Sequence, residues 1–164
     1  MEFIKFKNVT KKYKNGVVAL YNLSLSIEKG DFCFIIGGSG SGKSTLTKLL
    51  YREEKPTTGE IILGGLKVNK LRNSNVYKLR RKLGIVFQDY RLLPKSNVYE
   101  NVAFALEVMG ESKKNIRPRV LKAIELVGLK SKLRDYPEDL SGGEQQRVAI
   151  ARAIVNEPKL LICD

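Results

Sequence analysis

The sequence predicts a mixed α/β fold that carries a helical insertion at roughly residues 89–140. Three observations predict it. A nearly continuous apolar run, Asp31–Ile36, enters a Gly/Ser-rich loop that opens into an amphipathic helix. Successive segments between Val98 and Val155 repeat their apolar residues at helical spacing. Two further short apolar runs, Gly84–Gln88 and Lys159–Cys163, read as strands, as does Asp31–Ile36, and a strand buried on both faces has this unbroken pattern.

Taken in order, Phe3–Val9 alternates apolar and polar residues and reads as a strand. Leu20, Leu23, Leu25 and Ile27 mark a second alternating stretch, closed by the turn Lys29-Gly30. The apolar run to Ile36, the Gly/Ser loop and a helix over about Lys43–Tyr51 follow. Thr58-Gly59 turns the chain into a strand Glu60–Leu63, and Gly64-Gly65 marks a tight turn. Asn75–Leu83 is short, basic and helical in pattern. Val98, Val102, Ala105, Leu106 and Met109 give a helical period stopped at Gly110. Ser112 is placed to cap a second helix that carries Val120, Leu121, Ile124 and Val127 and stops at Gly128. Ser141 precedes a third helix that ends before Pro158, and the last strand leads to Asp164.

The length fits one domain with a sizeable core, and 43% apolar residues is an ordinary globular composition. No apolar run approaches the ~20 residues that span a bilayer, and the polar, basic start shows no signal-peptide pattern. Cys33 and Cys163 each sit in a short apolar run with no second cysteine nearby, so both are expected to be buried small hydrophobes. Histidine is absent, which excludes histidine acid/base chemistry and histidine metal ligation within these residues. The net charge is +13. Residues 1–82 hold 17 basic and 6 acidic groups, against 13 and 11 in residues 83–164. Nucleic acid, an anionic membrane surface and generic solvated lysines compete as explanations. The lysines are scattered (Lys11, Lys12, Lys14, Lys67, Lys70) without interleaved aromatic stacking platforms. That favours solvated lysines first, a membrane second, and no specific nucleic acid.

Gly37-Gly38-Ser39-Gly40-Ser41-Gly42-Lys43-Ser44-Thr45 matches G-x-x-x-x-G-K-[ST]. Glycines let successive backbone N–H groups turn inward to form an anion nest, and the helix that follows aims its positive end at the same place. Lys43 is expected to reach the β- and γ-phosphates, and Ser44 to ligate Mg²⁺. A flexible Gly/Ser linker would not be flanked by an apolar run and an amphipathic helix with Leu46, Leu49 and Leu50 on one face.

Three more segments narrow the chemistry. Leu140-Ser141-Gly142-Gly143-Glu144-Gln145-Gln146-Arg147 resembles the LSGGQ signature of the ATP-binding-cassette (ABC) ATPases, with Glu144 in place of its Gln. Val86-Phe87-Gln88 resembles the family's Q-loop, and Leu160–Asp164 its Walker B strand. The resemblance covers the whole chain. It implies a P-loop NTPase nucleotide-binding domain with an antiparallel β subdomain and a helical insertion, lacking its C-terminal part. Ser141-Gly142-Gly143 stands just before a helix, so it offers a hydroxyl, backbone N–H groups and a dipole end as a second anion site. The resemblance implies a head-to-tail homodimer, in which each ATP lies between one chain's phosphate loop and the other's Ser141–Gln145. It also implies Lys43, Gln88 and Asp164 as catalytic residues, Mg²⁺ held by Ser44, Gln88 and Asp164, and adenine stacked on Tyr13.

Within the family, Leu79–Pro94 and Val98–Val108 resemble the bacterial cell-division ATPases, with lipoprotein-release and macrolide-export ATPases also similar. This implies an integral membrane partner docking near the Q-loop and the helical insertion, and a peripheral place on the cytoplasmic face of the plasma membrane. A non-hydrolysing nucleotide-binding gate is the alternative of a different class. Family members continue past the Walker B Asp with a water-polarising Glu, a D-loop and a switch His. None lies within residues 1–164, so this stretch alone is expected to hydrolyse ATP poorly. The last strand is expected to be central in the family's whole sheet, so within residues 1–164 its edges and apolar faces are expected to be left exposed.

Overall fold

The computed structural model describes residues Glu2–Asp164. Its contacts gather into two compact units, Met1–Tyr77 and Lys78–Asp164.

The first unit is built on a four-stranded antiparallel sheet in the order β2-β1-β3-β4. The strands are β1 (Glu2–Lys12), β2 (Val18–Glu28), β3 (Thr58–Leu63) and β4 (Leu66–Lys67). Ile4 and Phe6 of β1 lie opposite Ile27 and Leu25 of β2, and opposite Leu63 and Ile61 of β3. Strand alternation thus puts Ile4, Phe6, Ile61 and Leu63 into the core. A register shift follows Phe6, where Asn8 (φ 48) takes a left-handed conformation and bonds its side-chain amide to Asn22 (φ 47) at 3.0 Å. Asparagine tolerates this region better than other non-glycine residues. Helix α1 (Lys43–Leu50) buries Leu46, Leu49 and Leu50, as its spacing predicts.

The second unit pairs β5 (Leu83–Val86) and β6 (Leu160–Cys163) in parallel, with Leu83 beside Leu160 and Val86 beside Cys163. Between them run α3 (Val98–Val108), α4 (Lys113–Leu126) and α5 (Gly142–Ile154). Their buried stripes (Val98, Val102, Leu106; Ile116, Val120, Ile124; Val148, Ala151, Val155) form one shared core. Short α2 (Val76–Arg80), which begins in the first unit and ends in the second, precedes β5 and buries Val76 and Leu79. Ser112 stands at the N-cap of α4, but its hydroxyl makes no cap bond. Its N–H is taken by Glu111 instead.

Two expectations are corrected. Asp31–Ile36 is not a buried strand. It pairs with no strand, and Phe32, Phe34 and Ile36 are 86%, 77% and 93% exposed. An unbroken apolar run needs a neighbour on each side to become a central strand, and neither sheet of the described residues supplies one. Phe32 and Phe34 instead cover each other edge-to-face, with ring centroids 5.1 Å apart. Both cysteines are exposed rather than buried. Cys33 shares the open segment, and Cys163 lies on β6, which has one neighbour. Among the described residues β6 pairs with β5 alone, which leaves its other edge open as expected.

Candidate functional site

In the first unit the chain reaches α1 through a loop of glycines with left-handed backbone at Gly40 (φ 76) and Gly42 (φ 93). Gly42 is the N-cap of α1, and no side chain caps this helix. A Cβ on Gly42 would stand 2.4 Å from the Ala19 carbonyl oxygen, so only glycine lets the loop pass this close to β2. No acidic residue sits in the first turn of α1, so its positive end is offered to an anion. The Lys43 ammonium curls back into the loop. It donates to the carbonyls of Gly37 (2.8 Å) and Gly38 (2.7 Å), and lies 3.4 Å from Ser41 Oγ. The charge therefore already points into the concavity where phosphate oxygens are expected. A Cβ on Gly37 would meet Ser41 Oγ at 2.6 Å, a contact the serine side chain can relieve by rotating. Ser39 and Ser44 are exposed on the loop and on α1.

Tyr13, the first residue after β1, is half-buried, and its phenol lies 3.1 Å from the Thr45 hydroxyl on α1. The Lys11 ammonium sits over one face of the ring, 4.9 Å from its centroid, held there by Glu54 (2.6 Å) and the Lys55 carbonyl (2.9 Å). The structure thus brings Tyr13 to the phosphate-loop helix.

The second unit holds the remaining candidates. Gln88 follows β5 in the turn closed by Tyr90 N–H donating to the Phe87 carbonyl, and Asp164 follows β6 with its N–H bonded to the Val86 carbonyl at 3.0 Å. Both are exposed, and both stand at the carboxyl end of the parallel pair, where ligands gather in α/β sheets. The Ser44 hydroxyl in the first unit, and the Gln88 amide oxygen and Asp164 carboxylate in the second, are each hard oxygen donors of the kind Mg²⁺ takes. No group of three or more His, Cys, Asp or Glu side chains exists among the described residues.

Ser141 caps α5 through a capping box. Its Oγ accepts from Glu144 N–H (3.3 Å), and Glu144 Oε2 accepts from Ser141 N–H (2.8 Å) and Oγ–H (2.7 Å). Those bonds, with Lys132 and Arg147 nearby, hold the Glu144 carboxyl below the usual carboxylate range. Gly142 and Gly143 are exposed at the helix start. Gln145 turns away, donating to the Pro137 (2.9 Å) and Leu140 (3.1 Å) carbonyls, and so braces the loop.

Sequence reasoning missed two residues around the Gln88 loop. Buried Asn101 of α3 accepts from Leu93 N–H and donates to the carbonyls of Leu93, Ser96 and Asn97. Arg152 of α5 donates to the carbonyls of Tyr90 (2.6 Å) and Arg91 (2.7 Å), and burial lowers its pKa from the usual guanidinium value. Both are polar residues inside amphipathic helices. The pattern assigns such residues to solvent, so the missing signal is tertiary.

Comparison with known proteins follows this geometry. The ABC transporter family model matches residues 20–164. The chain is 53% identical over 164 residues to the cell division ATP-binding protein FtsE of Streptococcus pneumoniae, covering 100% of this chain and 71% of that one. It is 47% identical over 161 residues to the methionine import ATP-binding protein MetN of Helicobacter pylori, covering 98% of this chain and 49% of that one. Among solved structures, the ATP-binding cassette MJ0796, a dimer in a post-hydrolysis state bound to ADP and Pi, is similar with a TM-score of 0.91 at 41% identity. That match covers 98% of this chain and 73% of that one.

Proposed function

The chain belongs to the ABC transporter family, and from that membership we propose that it is the ATP-binding subunit of an FtsE-type complex. In this reading a homodimer binds and hydrolyses Mg-ATP at the cytoplasmic face of the plasma membrane. It thereby drives an FtsX-like integral membrane partner that controls septal cell-wall remodelling. The observation that carries the reading is the phosphate loop: Lys43 folded into its own glycine cradle at the uncapped start of α1.

Lys43 and the loop amides from Gly37 to Thr45 bind the phosphates, with Ser39, Gly40 and Ser41 at the rim of the cradle. Tyr13 receives adenine on the ring face that Lys11 leaves free. Ser44, Gln88 and Asp164 are the residues that would hold Mg²⁺ and orient the attacking water. The metal, when bound, neutralises charge developing on the β- and γ-phosphoryl oxygens. Ser141, Gly142 and Gly143 of one copy, braced by Glu144 and Gln145, present the α5 N-terminus to the nucleotide held by the other. Hydrolysis removes the shared γ-phosphate and so releases the dimer. No helix of the described residues is long and apolar enough to cross a membrane.

The likeness to MetN favours one second reading, the ATP-binding subunit of a solute importer. The test uses the full-length protein co-purified with its membrane partner. ATP turnover that Lys43→Ala abolishes, together with a cell-division defect on depletion, is the expected result. Turnover indifferent to Lys43→Ala overturns the ATPase reading. Normal division with impaired methionine uptake moves the assignment to the importer.

A further inference from the structure

Residues Phe87–Asn97 connect β5 to α3 and contain two consecutive non-glycine residues with left-handed backbone, Tyr90 (φ 56) and Arg91 (φ 48). L-residues with side chains seldom occupy this region singly, and a tandem pair persists only where its surroundings hold it. Two helices do the holding. Asn101 of α3 fixes the Leu93–Asn97 end with bonds of 2.8–3.1 Å. Arg152 of α5 fixes the Tyr90–Arg91 end with both terminal nitrogens of its guanidinium, and no carboxylate pairs with Arg152 among the described residues. Leu92, between the two clamps, packs against the buried cores of this unit. The Arg91 guanidinium lies 4.0 Å from the Phe87 ring centroid, so the strained pair is tied back to the end of β5.

Arg152 lies about 16 Å along α5 from Ser141. A helix of this length moves as a rigid body, so a shift of its N-terminus reaches the carbonyls of Tyr90 and Arg91 directly. We propose that Arg152 is a positioning residue that couples the Ser141–Gln145 loop to the Gln88 turn, by holding Tyr90 and Arg91 in their left-handed conformation. The inference rests on the ATPase reading above. Tyr90 and Arg91 are the two-state element: with the fork in place they stay left-handed, and without it they relax to ordinary backbone and carry Gln88 with them. A single ammonium cannot engage both carbonyls with the planar geometry of the fork, so lysine replaces arginine only in part.

The experiment compares full-length wild type, Arg152→Ala, Arg152→Lys and Lys43→Ala. Three quantities are measured: binding of a fluorescent ATP analogue, kcat and KM for ATP, and amide hydrogen exchange. Arg152→Ala is expected to bind nucleotide within about threefold of wild type and to keep KM, while kcat falls at least about tenfold, a loss of ~1.4 kcal/mol of transition-state stabilisation. Exchange at residues 89–93 rises about tenfold while α3 and α5 stay protected. Arg152→Lys, which also serves if the alanine variant does not fold, is intermediate in both. Wild-type exchange at residues 89–93, or an unchanged kcat, in either variant overturns the proposal. ATP turnover that survives Lys43→Ala overturns the ATPase reading instead, and the exchange result stands apart from it.

Discussion

The phenolic oxygen of Tyr13 lies 3.1 Å from the hydroxyl of Thr45, so the ring that follows β1 is tied to the third residue of the phosphate-loop helix. With Lys11 over one ring face, the hydrogen bond leaves the opposite face fixed relative to the loop. Base–aromatic stacking contributes roughly 1–3 kcal/mol. Tyr13→Ala is therefore expected to weaken ATP binding by about tenfold while GTP binding weakens by a similar factor, because stacking is tolerant of the base. Tyr13→Phe keeps the ring and should stay within about threefold of wild type. Equilibrium titration with both nucleotides checks this. Equal affinities for wild type and Tyr13→Ala would remove Tyr13 from the site.

The glycines of the loop separate into those that folding needs and those that phosphate needs. A Cβ on Gly42 would collide with the Ala19 carbonyl oxygen at 2.4 Å and the Leu20 side chain at 2.9 Å, at φ 93. A Cβ on Gly38 would meet nothing within 4 Å. Gly42→Ala should cost about 2–4 kcal/mol of stability, and Gly38→Ala about 0.5 kcal/mol or less. Thermal melts of the full-length variants without nucleotide distinguish them. Equal melting temperatures would contradict the close approach of loop and β2.

Acid should weaken the fold through carboxylates that the native state holds ionised. Glu2 is held below its ordinary value of 4.5 by Lys5, Glu60 by Lys67, Glu111 by Asn115 and the Ser112 N–H, and Glu144 by Ser141. A carboxylate whose folded pKa lies below its unfolded pKa stabilises above the unfolded value, and that stability is lost as pH falls through the folded value. The urea midpoint should therefore be flat from neutral pH to about 5, then fall steadily on further acidification. A midpoint that holds constant to pH 3 would mean that these contacts persist in the unfolded chain or do not form. Glu2 is exposed and Glu60, Glu111 and Glu144 are half-buried, so added salt should blunt the effect.

Much of the site is legible because its chemistry is local. The phosphate loop, the Ser141 cap and the Gln88 and Asp164 positions depend on residues adjacent in sequence, and helices α1, α3, α4 and α5 follow from apolar spacing. Asp31–Ile36 misleads because apolar content reports what a segment would gain from burial, while the strand itself depends on partners elsewhere in the chain. Cys33 follows it to the surface for the same reason. Arg152 and Asn101 are invisible because their partners are backbone carbonyls, which carry no residue identity. Left-handed Tyr90 and Arg91 are equally silent, since neither residue type favours that conformation.

Glu144 gives the sharpest test of how the second anion site is tuned. Its carboxylate accepts the Ser141 hydroxyl proton at 2.7 Å and the Ser141 N–H at 2.8 Å, so it completes the helix cap while placing a negative charge beside the group that would meet phosphate. Because its pKa is lowered, the charge persists throughout the neutral range, and changing pH between 6 and 8 should leave this effect unaltered. Glu144→Gln keeps an acceptor for the Ser141 N–H and removes the charge. Two unit charges a few ångströms apart in water interact by about 1 kcal/mol, so the ATP-bound dimer of Glu144→Gln should be about fivefold tighter at low salt, with the gain shrinking as salt rises. Analytical ultracentrifugation with ATP, across a salt series, reads both. Tightening that ignores salt would point to a change in cap geometry. A weaker dimer would mean that Glu144 holds Ser141 in its working orientation, and that the cap outweighs the repulsion.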